Sequence, residues 1–281
     1  MVTVFSNFFI NDEERFLRLK DSFDSIKDIK SDNWVINCRG SFSNQVNYFL
    51  SHNLNEKLIF SNIDNKKNWY NDTFLMLKNI KTNHVFYWIE DNICVIDSSL
   101  LNKVLIEFIN SNCDHLQYSF WQHHIKYKPY QGFLKFQTKS LNHYNIDKES
   151  ITSIKARDNE NYIISLAGVF SFELFEMLIT KRSPFFRRWP KTLPFDMEKR
   201  VNDKFWLPIK ISMPKFELFA TIDDDMGGVR GSLISRGLYP NRVGQIDRTK
   251  KSKLPIFLIN TKLGLLIKNS RRFILNLKNQ F

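Results

Sequence analysis

Over the first 111 residues, four short apolar runs rich in β-branched and aromatic side chains alternate with stretches of helical period. No other feature constrains the fold as strongly. The runs are residues 1–9, 34–38, 57–63 and 85–89, and the helical patterns lie at 12–26, 41–50, 69–80 and 98–111. Asn11 or Asp12 is placed to cap the first helix. In the third, Trp69, Phe74, Leu77 and Ile80 are expected on one apolar face. Strands and helices alternating at this spacing build βαβ units and an α/β fold with a mostly parallel central sheet flanked by helices. Right-handed crossovers then bring the strand C-termini to one edge. Ser6-Asn7, Arg39-Gly40, Asp64 and Glu90-Asp91 are expected to meet there.

The fourth run ends abruptly in Trp88-Ile89-Glu90-Asp91-Asn92. Ligands of open α/β sheets bind outside the carboxyl ends of the strands. Two carboxylates at that place suit a hard divalent cation, Mn²⁺ or Mg²⁺, held against a diphosphate. The competing reading of Glu90 and Asp91 is an acidic pair in solvent, or one that caps the next helix.

The chain has 281 residues and a formal net charge of +12, which calls for an anionic partner: a nucleotide diphosphate, an acidic lipid surface or nucleic acid. Cys38, Cys94 and Cys113 show no CxxC spacing and read as reduced core residues. The early acidic residues Asp12, Glu13 and Glu14 argue against a signal peptide, and no apolar stretch approaches the ~20 residues that span a bilayer. A cytoplasmic chain, or one held peripherally at the inner face of the membrane, is expected. No GxxxxGK[ST] loop, GxGxxG fingerprint or Ser-His-Asp constellation is present, which argues against phosphate-loop nucleotidases and dinucleotide dehydrogenases.

Beyond residue 117 the pattern changes. Residues 118–136 read as aromatic strands and loops at the far side of the sheet, and the polar stretch 142–161 as a surface excursion. LAGVFSFELFEMLI (166–179) is a helix or a strand–helix unit. Pro190, Pro194, Pro208 and Pro214 punctuate the next section, and 216–222 is a further strand. The expected organisation is one domain with a βα half (1–115), a second half (116–250) and a basic amphipathic extension (251–281). That extension could lie on an anionic leaflet or pack on the domain.

Within the second half, LPFDMEKR (193–200) offers Asp196 and Glu198 as a general base, with Glu198 ahead, or as acidic decoration of a helix that Pro194 starts. Asp223-Asp224-Asp225 followed by Gly227-Gly228 reads as a turn or mobile loop before it reads as a second metal site. His123-His124 would point to opposite strand faces and is structural. Lys181, Arg182, Arg187, Arg188, Arg230, Arg236 and Arg242 form a basic, aromatic-interleaved set that reads as phosphate-forking arginines, as a nucleic-acid groove, or residue by residue as a solvated basic surface; Arg236 is assigned to the donor.

With those segments the chain resembles bacterial GT-A-fold glycosyltransferases of the family 2-like, surface-polysaccharide type. The likeness rests on the βα order of 1–111, WIEDN, LAGVFSFELFEMLI and LPFDMEK. It implies that Asn7, Arg39 and Asp64 hold the nucleotide, and that Glu90 and Asp91 hold the metal and diphosphate. It also implies a nucleotide-sugar donor, a glycan or lipid-linked glycan acceptor, and an inverting transfer with Asp196 or Glu198 as base. Glu-Asp-Asn stands where the family carries Asp-x-Asp, which leaves metal dependence open. Two rivals remain: a nucleotidyltransferase with metals at Asp223 and Asp225, and a basic nucleic-acid or membrane-surface binding module.

Overall fold

The computed structural model describes residues 1–63, 69–117, 128–130, 132–157, 163–180, 194–198, 206–223 and 232–240. Strands β1 (Val2–Phe9), β2 (Ser31–Arg39), β3 (Leu58–Ser61) and β4 (His84–Tyr87) pair in parallel in the order β3-β2-β1-β4. That order is the one found in doubly wound nucleotide-binding sheets. Helices α1 (Glu13–Ile26), α2 (Ser43–Leu54) and α3 (Trp69–Met76) connect these strands. A short β5 (Asn92–Cys94) and helix α4 (Ser98–Asn110) come next. Asp12 caps α1 by accepting from Arg15 N (2.8 Å), and Asp97 caps α4 by accepting from Leu100 N (2.9 Å).

The sheet continues through β9 (Gly168–Ser171), β6 (His115–Gln117), β10 (Ile209–Pro214), β8 (Leu141–Ile146) and β7 (Leu134–Gln137) to nine strands. β8 and β9 run against the other seven, so the sheet is mixed with most strands pointing one way. A separate two-stranded antiparallel ladder joins β5 to β11 (Phe219–Thr221).

Alternation along the central strands distributes side chains into two cores. Val4, Phe8, Trp34, Ile36, Phe86 and Trp88 face α1, α2 and α4. Phe5, Val35, Val85 and Tyr87 face α3, α5 (Lys148–Arg157) and α6 (Phe172–Thr180). Strands covered on both faces read as continuous apolar runs, which is why β1 and β2 are conspicuous in the sequence. Cys38, Cys94 and Cys113 are all buried and free; burial pushes the Cys38 thiol up to about 12 and that of Cys94 to about 11.

Four expectations change. The described part of the polar stretch, 142–157, is no surface excursion: β8 is a largely buried strand and α5 succeeds it. Its polar side chains are internally bonded, as His143 Nδ1 is to Ser212 Oγ (2.9 Å). β10, preceded by Pro208 and ending at Pro214, is an interior strand between β6 and β8. The run 216–222 contributes only the short β11, outside the main sheet. On α3 the buried face is Trp69, Tyr70, Asp72, Thr73 and Met76, while Phe74 is exposed. A polar partner on β1 explains that choice, because Asn7 Nδ2 donates to Thr73 Oγ1 (3.2 Å) and to Trp69 O (3.3 Å).

Candidate functional site

The carboxyl edge of β3-β2-β1-β4 gathers most of the expected residues. Trp88 anchors the acidic turn: it packs edge-on against Phe8 (4.8 Å) and Trp34 (5.4 Å), and its Nε1 donates to Ser22 Oγ (2.9 Å). Ser6 Oγ donates to Trp88 O (2.8 Å), tying the end of β4 to β1. Glu90 and Asp91 then form the turn into β5.

The β5–β11 ladder pairs Asn92 with Thr221, and Ile222 N donates to Asp91 O (2.7 Å). Asp223 is thereby delivered to Glu90 and Asp91. Asp223, the first residue of the second acidic segment seen in the sequence, therefore joins the first. Arg15 and Arg18 of α1 answer it: Arg15 Nη1 lies 3.6 Å from Glu90 Oε1, and Arg18 Nη1 lies 2.7 Å from Asp223 Oδ2. Arg18 also bonds Glu14 Oε1 through Nε (2.9 Å). Burial lifts Glu90 above the usual carboxylate range, against the pull of its own backbone N–H, Arg15 and Arg18. Burial, then Glu90 and Asp223, lift Asp91 to about 7, against Arg18 and Arg15.

By donor chemistry, Asp91 and Glu90 fit a hard dication: both supply oxygen, and Asp91 accepts only a long side-chain bond from Asn92 Nδ2 (3.4 Å) among the described residues. Among those same residues, no group of three acidic, His or Cys side chains forms a ready ligand set, and Arg18 already occupies Asp223.

Asn7 and Arg39 stand at the same edge. Asn7 Oδ1 accepts from Asn37 Nδ2 (3.0 Å), so its amide braces β1, β2 and α3. Asn37 also pairs with both backbone groups of Ile63 (3.0 Å each), continuing the sheet past β3. Arg39 lies over the Phe9 ring (5.7 Å), with Nε 3.7 Å from the fully buried Asp72. Gly40, at φ +101°, lets this turn close on β1, where a Cβ would collide with Ile10 O.

Glu198 comes directly after a 3-10 turn, Pro194–Met197, that contains Asp196. Its Oε1 accepts from Leu166 N (2.8 Å) and Ser165 Oγ (3.4 Å). Residues 165–166 lead into β9, whose start lies beside the end of β4. Glu198 thus sits on the same sheet edge as the acidic turn. Arg236 does not join them. It pairs with Glu217 (2.7 Å) in a cleft of about 590 Å³ beside β5, shared with Asp21 and Tyr239. Asp64, Asp224, Asp225, His123, His124, Lys181, Arg182, Arg187, Arg188, Arg230, Arg242 and the extension 251–281 lie outside the described residues.

Sequence reading missed Arg15, Arg18 and the partnership of Asp223. The arginines carried a usable signal: the first turns of a helix that follows a parallel strand lie at the carboxyl edge, and residues three apart share a helix face.

Fold and edge together define a Rossmann-related α/β protein with an acidic, arginine-braced turn where such sheets bind ligands. No protein-family model matches the sequence, and no curated protein matches it. Among solved structures, the chain is similar to S. aureus TarS 1–349 in complex with UDP, at 11% identity and TM-score 0.48, over 80% of this chain and 62% of that one. For the TarS 1–349 complex with UDP-GlcNAc the values are 10%, 0.48, 82% and 60%. For UDP-glucose pyrophosphorylase complexed with UDP-glucose they are 11%, 0.43, 78% and 92%. The chain spans about 60% of the length of those TarS structures.

Proposed function

We propose that this chain is a GT-A-type glycosyltransferase that moves a sugar from a nucleotide diphosphate donor to a hydroxyl of a glycan or lipid-linked glycan, in surface-polysaccharide synthesis. One observation carries the reading: Glu90, Asp91 and Asp223 are assembled beside Arg15 and Arg18 at the carboxyl edge of a parallel β3-β2-β1-β4 sheet. Departure of a nucleoside diphosphate builds negative charge, and this edge holds the groups that manage such charge. Arg39 stands at the place for the nucleoside, with Asn7 and the fully buried Asn37 bracing the strands beneath it. Asp91 and Glu90 would hold Mn²⁺ or Mg²⁺, which neutralises charge on the leaving diphosphate when bound.

Glu198, held by the 165–166 segment on the same edge, is the general base for the acceptor hydroxyl, giving inversion at the sugar carbon. Asp196, two residues earlier, is the second choice. Because Asp223 belongs to the cluster of Asp91, a nucleotidyltransferase reading would use this same site. A peripheral seat on an anionic membrane would suit a lipid-linked acceptor; no helix among the described residues is long and apolar enough to cross a membrane.

The test is thermal stabilisation against UDP, UDP-GlcNAc, UDP-glucose, GDP and CDP, with and without Mn²⁺. A ligand at about 100 times its Kd stabilises by about 2.7 kcal/mol. One nucleotide should raise Tm, and Asp91→Ala should abolish the Mn²⁺-dependent part. No shift with any nucleotide would sink the proposal.

A further inference from the structure

We propose that His115 is the positioning residue for Glu198, acting through the backbone of residues 165–166. The functional part of this inference rests on the general-base reading of Glu198. Its structural part does not.

Side chains alternate along β6, so His115 and Gln117 share one face while Leu116 faces the opposite core. Both reach the segment that precedes β9. Gln117 Nε2 donates to Ile163 O, and His115 Nε2 lies 3.2 Å from Ser165 N. The other ring nitrogen, Nδ1, is 3.1 Å from Val169 O. A peptide N–H only donates and a carbonyl only accepts. The ring therefore carries its proton on Nδ1 and offers a lone pair at Nε2. Stacking on Phe170 (4.4 Å, 19°) fixes the ring plane, and the side chain is fully buried.

The next peptide N–H, that of Leu166, donates to Glu198 Oε1, and the Ser165 hydroxyl reaches the same oxygen. Two successive amides are thus taken by two side chains, one from β6 and one from Glu198. Moving the ring moves Ser165 N, and Leu166 N moves with it. Gly168 makes room for this arrangement: a Cβ there would collide with His115 Cε1 and lie 2.7 Å from Leu116 O. His115 touches no substrate. It sets where the carboxylate stands, and misplacing a reacting group by about 1 Å costs on the order of 10²-fold in rate.

His115→Phe keeps a ring to stack on Phe170 and removes both nitrogens. Two quantities decide the matter in wild type, His115→Phe and Glu198→Gln. The first is peptide-resolved hydrogen exchange over residues 163–167. The second is turnover of whichever nucleotide sugar raises Tm in the thermal panel, split into kcat and KM. Exchange over 163–167 should rise about tenfold or more in His115→Phe, by loss of the Ser165 bond. Its kcat should fall roughly 10- to 100-fold with donor KM unchanged, and adding Glu198→Gln should cost little more. Unchanged exchange in His115→Phe overturns the proposal, whatever the activity. So does normal kcat in His115→Phe when Glu198→Gln is inactive. If Glu198→Gln turns over normally, the base reading fails, and exchange alone then decides the positioning claim. Should His115→Phe not fold, His115→Leu, closer to histidine in volume, removes both nitrogens and is judged by the same two readouts.

Discussion

Glu198 and the Glu90–Asp91–Asp223 cluster occupy one edge of one sheet, yet they are held in different ways. Among the described residues, a peptide N–H and a hydroxyl donate to the Oε1 oxygen of Glu198. Charges fix the cluster: three carboxylates against Arg15 and Arg18, with Asp91 lifted to about 7 by burial and its acidic neighbours. Neutral donors orient a carboxylate oxygen without bringing a counter-charge of their own, which suits a group that must take a proton. Crowded carboxylates strain the empty protein and are relieved by positive charge, which suits a group that waits for a cation.

The largest expected effect tests the Glu198 side of that contrast. Glu198→Gln keeps an oxygen to accept from Leu166 N, so the fold should stand. It cannot take a proton at neutral pH. Turnover of a nucleotide sugar with its acceptor should fall about 10²–10⁴-fold, with donor KM little changed. A variant with more than half of wild-type turnover would remove Glu198 from the chemistry and pass the role to Asp196.

How far these sites could be read from sequence differs between the two halves of the sheet. β1, β2, β3 and β4 were legible because each is a continuous apolar run between helical patterns, and Glu90-Asp91 was placed simply by ending the fourth. β6 and β5 are three residues long, too short to show a period. β8 hides buried His143 and Tyr144 among asparagines, and β10 hides between prolines that read as punctuation. Hydropathy puts Phe74 on the buried face of α3, whereas Asn7 brings Thr73 inside. The joining of Asp223 to Asp91 was illegible for a related reason. It depends on a ladder of three residue pairs between segments remote in sequence, and no local pattern encodes that register.

A smaller effect probes the arginine half of the cluster. Arg18 bonds Asp223 and Glu14, and both partners are less than one-third exposed. Arg18→Ala leaves those carboxylates facing Glu90 and Asp91 without their nearest counter-charge. Stability at pH 8 should drop by about 2 kcal/mol, seen as a Tm lower by several degrees. Ser165→Ala, which removes only a 3.4 Å hydroxyl contact to Glu198, should cost less than about 1 kcal/mol. Equal losses would erase the distinction between charged and neutral scaffolding.

The most specific effect is also a small one, and its sign reverses the usual expectation for a substitution. An unfolded Asp titrates near 3.9, whereas folded Asp91 titrates at about 7. Between those values the folded chain binds more protons at this site than the unfolded chain. Stability from this group is therefore complete below about pH 4 and is lost as pH rises through 7. Asp91→Asn carries no such penalty. It should raise Tm relative to wild type at pH 8 and leave it nearly unchanged at pH 4, a differential on the order of 1 kcal/mol after allowance for solvent screening. Comparing the two proteins at each pH cancels the titration of groups remote from the cluster, while Glu90 and Asp223, relieved of a neighbouring charge, add to the difference with the same sign. The same substitution should abolish the Mn²⁺-dependent stabilisation by nucleotide. A residue that weakens the empty fold at neutral pH and is required once cation and nucleotide are present is one retained for binding rather than for folding. If Asp91→Asn instead lowers Tm equally at both pH values, the cluster is scaffolding, and the contrast with Glu198 collapses.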